Sequence, residues 1–410
     1  MLPVQIVGAG LGGLSAAIAL ARKGFSVEIH ERTKEMREVG AGIQLGPNAL
    51  RAFEQLGLRR EIEAIAFAPN AIVLLDSPSG SEICRQELGG PFLDRFGYSY
   101  TVGYRADVQG VLLEALHKYG DRIVLHLDRT IQTFSQDDRG VTLYAENLSI
   151  GGSALIGADG LWSAIRDSII GDGRPRAPGH VAYRAVLPVS AAPPDLLTDD
   201  VQVWVGPRHH LVCYKLRGGT LFNIVAIFQS ARYAEGWDGA ADVLDLENGF
   251  EDACPKVKRL LSHVQTWRMW TLCDRDPRSG WSLGRVTLLG DAAHPTLPYL
   301  AQGACMAIED AVCLASHLGA GRENIPDALR AYESTRFART ASVQMTSREM
   351  GEINHATGPR REARNRALAA RDPRDYEANA WLFASDGPRE AGASAASFWS
   401  GAANAGASAS

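Results

Sequence analysis

A near-continuous apolar run, Val4-Gln5-Ile6-Val7, stops at Gly8, and a second apolar stretch of helical length follows from Leu14 to Ala21. Strand, glycine turn, helix is the predicted order. Gly24 ends the helix, and Ser26 to His30 reads as a second strand running into Glu31. Leu50, Phe53 and Leu56 mark one face of a helix stopped by Gly57, while Ala71 to Leu75 and Glu82 to Gln86 alternate as paired strands. A helix is predicted over Val108 to Lys118, then strands at Ile123–His126, Thr130–Phe134, Val141–Glu146 and Ala154–Ala158. Residues 181 to 228 carry four strand-like segments with no helix between them, and helices return at Ala240–Leu246 and Pro255–Val264. A last buried strand, Val286 to Leu289, leads through a proline-broken loop to a long helix starting near Gln302 or Gly303. This pattern predicts an α/β chain with a separate β-sheet inserted as one wall of a cavity.

The first turn carries chemistry. Gly8, Gly10 and Gly13 fit the spacing at which a tight turn, a close approach of backbone to pyrophosphate and close helix packing are required, and the helix end points its amides at the phosphates. Glu31 follows 21 residues after Gly10, where a carboxylate takes ribose hydroxyls; Arg32 beside it is counted with the cofactor residues. A dinucleotide is therefore expected. Across 410 residues the net charge is −5 and the pI about 6.1, so nucleic acid and anionic membranes are not expected partners. No apolar run approaches membrane-spanning length, and the start leads straight into the first strand, so a cytoplasmic protein is expected. The six cysteines show no C-x-x-C spacing, which predicts reduced thiols and neither a metal site nor a redox dithiol.

Two further turns deliver acids at strand ends: Gly157-Ala158-Asp159-Gly160, followed by Ser163 and Arg166, and Gly290-Asp291. With the glycine turn and Glu31, these three separated motifs resemble the single-component aromatic-ring flavoprotein monooxygenases, the para-hydroxybenzoate hydroxylase-like family. The resemblance covers about residues 2 to 345. The element Arg105-Ala106-Asp107 and the segment Tyr299 to Asp310 are most similar to the salicylate hydroxylase and 3-hydroxybenzoate 6-hydroxylase branch, with 6-hydroxynicotinate 3-monooxygenase close by. It implies a Rossmann-type FAD-binding domain in three parts (1–70, 101–175, 276–345) and an inserted β-sheet substrate domain (71–100 and 176–275). C-terminal helices (346–385) and a disordered Ala/Gly/Ser-rich tail (386–410) are expected to follow, with the basic run from Arg360 to Arg366 on a solvated helix face.

Residue by residue, the resemblance implies that Gly8, Gly10, Gly13 and Glu31 hold the adenosine half of FAD. Arg105 meets its phosphate or ribityl region, and Asp291, Gly303 and Ala304 hold the ribityl chain and the ring. Asp159 and Arg166 are shared candidates for FAD and for NADH or NADPH; for Arg166 a structural ion pair is an equal alternative. The implied reaction is hydroxylation of a small aromatic hydroxy acid, with O2 trapped as a flavin hydroperoxide. The ring must become a phenolate, which calls for a base. In Pro207 to Tyr214, His210 and Tyr214 fall on one face of a strand and resemble a His and Tyr pair of that branch; a register slip would substitute His209. Gln302 is a polar pocket candidate, His294 and Tyr299 are weaker ones, and for the carboxylate Arg184 and Lys215 compete with plain surface charge. A 6-hydroxynicotinate-type heteroaromatic hydroxylase, a flavin dehydrogenase and a non-catalytic FAD binder remain as alternatives, and a homodimer is a possible assembly.

Overall fold

Val4–Val7 and Ala154–Gly157 are buried at every position, as strands in the middle of a covered parallel sheet must be. In the computed structural model, described over residues 2–36, 40–232, 239–321 and 324–383, these two strands pair in parallel with Val7 opposite Gly157. Val27–His30 lies on the other side, with His30 opposite Val7. Ile123–His126 and Val286–Leu288 extend the sheet in parallel, and Ser282–Leu283 adds an antiparallel edge. The chain therefore leaves Val4–Val7 toward one side of the sheet and later returns on the other, which opens a crevice at the carboxyl ends of the strands.

The helix Leu11–Arg22 packs on Gly303–Ala320. A methyl group on Gly12 would stand 2.7 Å from Leu289 Cδ2 and 3.2 Å from Ala307 Cβ, so the close contact depends on that glycine.

A second, eight-stranded sheet runs Gly239–Ala240, Arg268–Thr271, His180–Pro188, Leu221–Gln229, His209–Leu216, Val201–Gly206, Ala71–Asp76, Glu82–Glu87. All its neighbours are antiparallel except Val201–Gly206 with Ala71–Asp76. One face buries Leu211, Cys213, Phe222 and Phe228 against Leu246, Val257 and Leu260 of the helices Val243–Gly249 and Pro255–Ser262, and against Phe250 just after the first. The opposite face puts Tyr214 and Leu216 against Leu300, Met306, Val343 and Met350, which come from the cofactor-side elements and the long helix Ile325–Asn354. The expected mixed α/β architecture with an added β-sheet is thus present.

Some sequence expectations need correction. The strand placed at Thr130–Phe134 lies at Thr133–Gln136, and an unexpected strand, Leu148–Gly152, completes a small meander. Its Leu148 is exposed and its last two residues are glycine, so no apolar alternation announced it. Ala240 belongs to a strand end pairing with Arg268, and the helix starts at Val243.

The basic segment lies on the helix Gly358–Ala369, but it is not merely a solvated face. Arg361 Nε donates to Asp76 Oδ1 at 2.9 Å, Asn365 Nδ2 to the same oxygen at 3.0 Å, and Arg364 Nη1 to the Ile353 and Asn354 carbonyls. Burial opposes the Asp76 charge, yet the Arg361, Ser79 and Asn365 hydrogen bonds outweigh it and bring its carboxyl down to about 2. The helix is pinned to the sheet edge by a buried acid that lies 285 residues earlier. Residues 386–410, expected as a tail, fall outside the described residues. No helix among the described residues is long and apolar enough to cross a membrane.

Candidate active site

A groove of about 450 Å³ opens at the switch point between the two sheets. Gly8 turns with φ +105°, and a Cβ there would meet the Ala158 carbonyl at 2.3 Å; one on Gly13 would meet the Gly8 carbonyl at 2.0 Å. On Gly10 it would meet nothing within 4 Å, because this position faces the open groove. The helix that follows has Gly10 as its cap residue, no side-chain cap and no acid in its first turn, so its positive end is directed at the groove. At one end of the groove Glu31 is held by its own surroundings: Oε2 accepts from Ala9 N at 2.9 Å and Oε1 from Thr33 N at 3.0 Å. Each oxygen keeps a lone pair for a hydroxyl donor. Arg32 sits exposed on the rim, and Arg105 lines the wall from the start of its helix.

Farther along, Asp159 accepts from Ser163 Oγ at 2.6 Å and Ile165 N at 3.3 Å, with burial raising its carboxyl. Asp291, Gly303 and Ala304 close the far end, and burial also raises Asp291. The turn that presents Asp291 is anchored from behind. Asp310 accepts from Gly290 N at 3.0 Å, His294 Nε2 at 2.7 Å and Arg336 Nε at 2.6 Å; Glu309 pairs with Arg336 and Arg339 at 2.7 Å each. Burial works against both carboxylates, and these cations outweigh it, holding each at about 2. His294 therefore closes the turn.

Arg166 is corrected: it does not line the groove. It is 1% exposed, its Nε and Nη2 bond Asp172, and its Nη1 donates to the Ala292 and Ala293 carbonyls at 2.9 and 2.6 Å. The alternative of a structural ion pair is the one observed, and its partner is Asp172, six residues on. Gln302 is likewise outside the groove lining: its Oε1 accepts from Asn48 Nδ2 at 2.9 Å, which commits that oxygen to the helix Pro47–Leu56.

On the sheet, the two histidines face opposite ways. His209 points to the helical side, with Nε2 2.8 Å from Ser77 Oγ and its ring 4.4 Å from Phe250. His210 points to the cofactor side, with Nδ1 2.8 Å from His355 Nε2 and its ring 5.4 Å from Tyr299. Burial first, then the neighbouring histidines, pushes His210 down to about 3. Tyr214 shares its face, close under Gly42, and burial raises its hydroxyl. Neither His210 nor Tyr214 lines the groove. Arg184 does, half-buried, and its guanidinium stacks 3.7 Å over Trp270 while Nε has no hydrogen-bond partner among the described residues. Burial and then Arg105 lower it to about 9. Arg184 is thus no surface charge, whereas Lys215 is held at the surface by Asp199 at 2.8 Å.

Residues 1–347 match the FAD binding domain family. The chain belongs to that family. It is 43% identical to a 3-hydroxybenzoate 6-hydroxylase of Polaromonas naphthalenivorans strain CJ2, covering 93% of this chain and 96% of the relative, and 41% identical to 3-hydroxybenzoate 6-hydroxylase 1 of Aquipseudomonas alcaligenes, covering 91% and 95%. Among solved structures it is similar to Klebsiella pneumoniae HpxO complexed with FAD and uric acid, at 28% identity and a TM-score of 0.81, over 94% of this chain and 97% of that one. FAD fits what the groove offers: open space over Gly10, a carboxylate at each end, and an uncapped helix end between them.

Sequence reasoning missed several residues. Gln109, Arg129, Thr130 and Trp162 also line the FAD groove. Arg129 and Thr130 were findable, since they follow the carboxyl end of Ile123–His126, where such sheets bind ligands. His180 and His355 carried no local signal: His180 Nδ1 meets the Tyr299 hydroxyl at 2.7 Å, and His355 ends the long helix.

Proposed function

We propose that the protein is an NAD(P)H-dependent FAD monooxygenase that hydroxylates a small aromatic hydroxy acid of the 3-hydroxybenzoate class. The observation that carries this reading is the single face shared by three groups. Arg184 lines the flavin groove, and His210 and Tyr214 are turned to the same side of the sheet. The names of the relatives over nearly the whole chain support the same substrate class. Bound FAD supplies the activated oxygen. The chain's residues do the rest: Arg184 takes the carboxylate as a charge-assisted partner, Tyr214 orients the hydroxyl, and His210, kept neutral by burial, accepts the phenolic proton. The burial of His210 and Tyr214 keeps water from the reacting face.

The flavin-binding segments, the inserted sheet and the cytoplasmic setting are part of this reading; the six cysteines, all among the described residues, form no disulfide. The test is NADH oxidation with oxygen uptake over a panel of hydroxybenzoates and hydroxynicotinates. Dihydroxylated product in step with NADH consumption supports it. Substrate oxidation without reduced nicotinamide would make the chain a dehydrogenase, and neither activity would leave an FAD binder.

A further inference from the structure

The hydroxylation reading leaves one buried contact unused. His210 Nδ1 and His355 Nε2 stand 2.8 Å apart, joining the eight-stranded sheet to the end of a helix 145 residues later. Both rings are nearly inaccessible, at 3% and 8% exposure. Two neutral imidazoles at this distance must share one proton, because two lone pairs or two N–H groups would repel each other.

The surroundings keep this pair separate from its neighbours. His180 packs edge-on against His355 at 4.8 Å but gives its own Nδ1 to Tyr299. Arg364 spends Nη1 on the carbonyls of Ile353 and Asn354, just before His355. Arg208 N donates to the His355 carbonyl, which fixes the backbone that carries the ring. His355 Nδ1 has no hydrogen-bond partner among the described residues, so the ring's one polar contact is with His210.

We propose that His355 is a positioning residue that accepts the Nδ1–H of His210, so that His210 presents an unprotonated Nε2 to the aromatic substrate. The inference rests on the hydroxylation reading for its purpose, but its geometry belongs to the pair. As the substrate O–H bond breaks, a bond forms from that proton to His210 Nε2. The Nδ1–H bond of His210 then breaks as one forms at His355 Nε2, and the positive charge moves one ring away from the phenolate. Reversal of the two transfers restores the resting pair, with no other reactant involved.

The test uses the full-length holoenzyme labelled with ¹⁵N in its histidine rings. In the wild type without substrate, His210 is expected to show a pyridine-like Nε2 and a protonated Nδ1; a protonated Nε2 would overturn the proposal. His355→Gln keeps an acceptor at the Nε2 position and is expected to preserve that tautomer, whereas His355→Leu loses it. For hydroxylation, His355→Leu is expected to lower kcat roughly 10- to 100-fold with little change in KM, the scale seen when the partner orienting a metal-bound histidine is lost. His355→Gln is expected to recover the larger part of that loss. Equal kcat in both variants and the wild type would overturn the proposal. Should His355→Leu fail to retain FAD or fold, the wild-type tautomer decides alone. A wild type that hydroxylates no phenol would sink the functional reading and leave the tautomer measurement standing.

Discussion

Asp310→Asn tests whether the flavin site is held from behind. The native carboxylate is fully buried and accepts from Gly290 N, His294 Nε2 and Arg336 Nε. Its carboxyl falls from 3.8 to about 2, and at 1.36 kcal/mol per unit this depression is worth roughly 2 kcal/mol of stability. The sign follows from the direction: because the folded value is the lower one, that stability is present above the unfolded value near 3.8 and disappears as the pH falls toward 2. Asparagine removes the charge and turns one donor toward other donors. Arg336 is left with Glu309 alone, which it already shares with Arg339, so the loss should approach the roughly 3–5 kcal/mol of a broken buried pair. The Gly290–Asp291 turn loses its anchor in the same step, and FAD affinity should fall with stability. Urea unfolding of the apoprotein at pH 7 and at about pH 2.5, inside the window of loss, with FAD titrations at pH 7 followed by flavin fluorescence, measures both. A stability loss below about 1 kcal/mol together with unchanged FAD affinity would refute the reasoning.

Four further outcomes are expected. Acid precipitation should release the flavin, since no attachment residue is evident; flavin that stays with the pellet contradicts this. Glu31→Ala and Asp291→Ala should each weaken FAD binding by about 1.5 to 3 kcal/mol per lost charged hydrogen bond, read by equilibrium dialysis. His210→Ala should slow hydroxylation by about 100- to 10,000-fold, leave FAD affinity close to wild type and raise hydrogen peroxide per NADH; wild-type product yield would place the base elsewhere. Arg184→Ala should raise KM for a hydroxybenzoate far more than for the matching phenol without a carboxylate, and equal effects on both would remove Arg184 from carboxylate recognition.

The parts of this molecule that could be read from sequence are those whose partners are close in the chain or whose chemistry belongs to a strand end. Gly8, Gly10, Glu31, Asp159 and Asp291 lie within three residues beyond the carboxyl ends of four strands of the parallel sheet and converge on one groove, as the motif spacing implied. Alternation along His209–Leu216 also separated the faces of His209 and His210, although only the packing of Phe250 and His355 decided which face was which. Sequence left Arg166 and Arg184 between two readings each and put Arg361 on a solvated face, for one common reason. A guanidinium is solvated or buried according to what meets it, and here that is Asp172, Trp270 and Asp76. Asp76 and Trp270 are distant in sequence, and no periodicity encodes such pairings.

The long helix Ile325–Asn354 carries Arg336 and Arg339 near its middle and delivers His355 just past its carboxyl end. Arg336 and His355 are separated by about 28 Å at 1.5 Å per residue. One rigid rod therefore sets the phase between the back of the flavin site and the ring behind His210. A one-residue insertion between Arg339 and His355 would advance everything beyond it by about 1.5 Å and rotate it by about 100°. His355 would swing out of reach of the sheet while the flavin turn kept its anchors. Point substitutions along this rod can be absorbed singly, but a change in its length is transmitted whole, so across homologues the chain between these positions should vary in composition and keep its count.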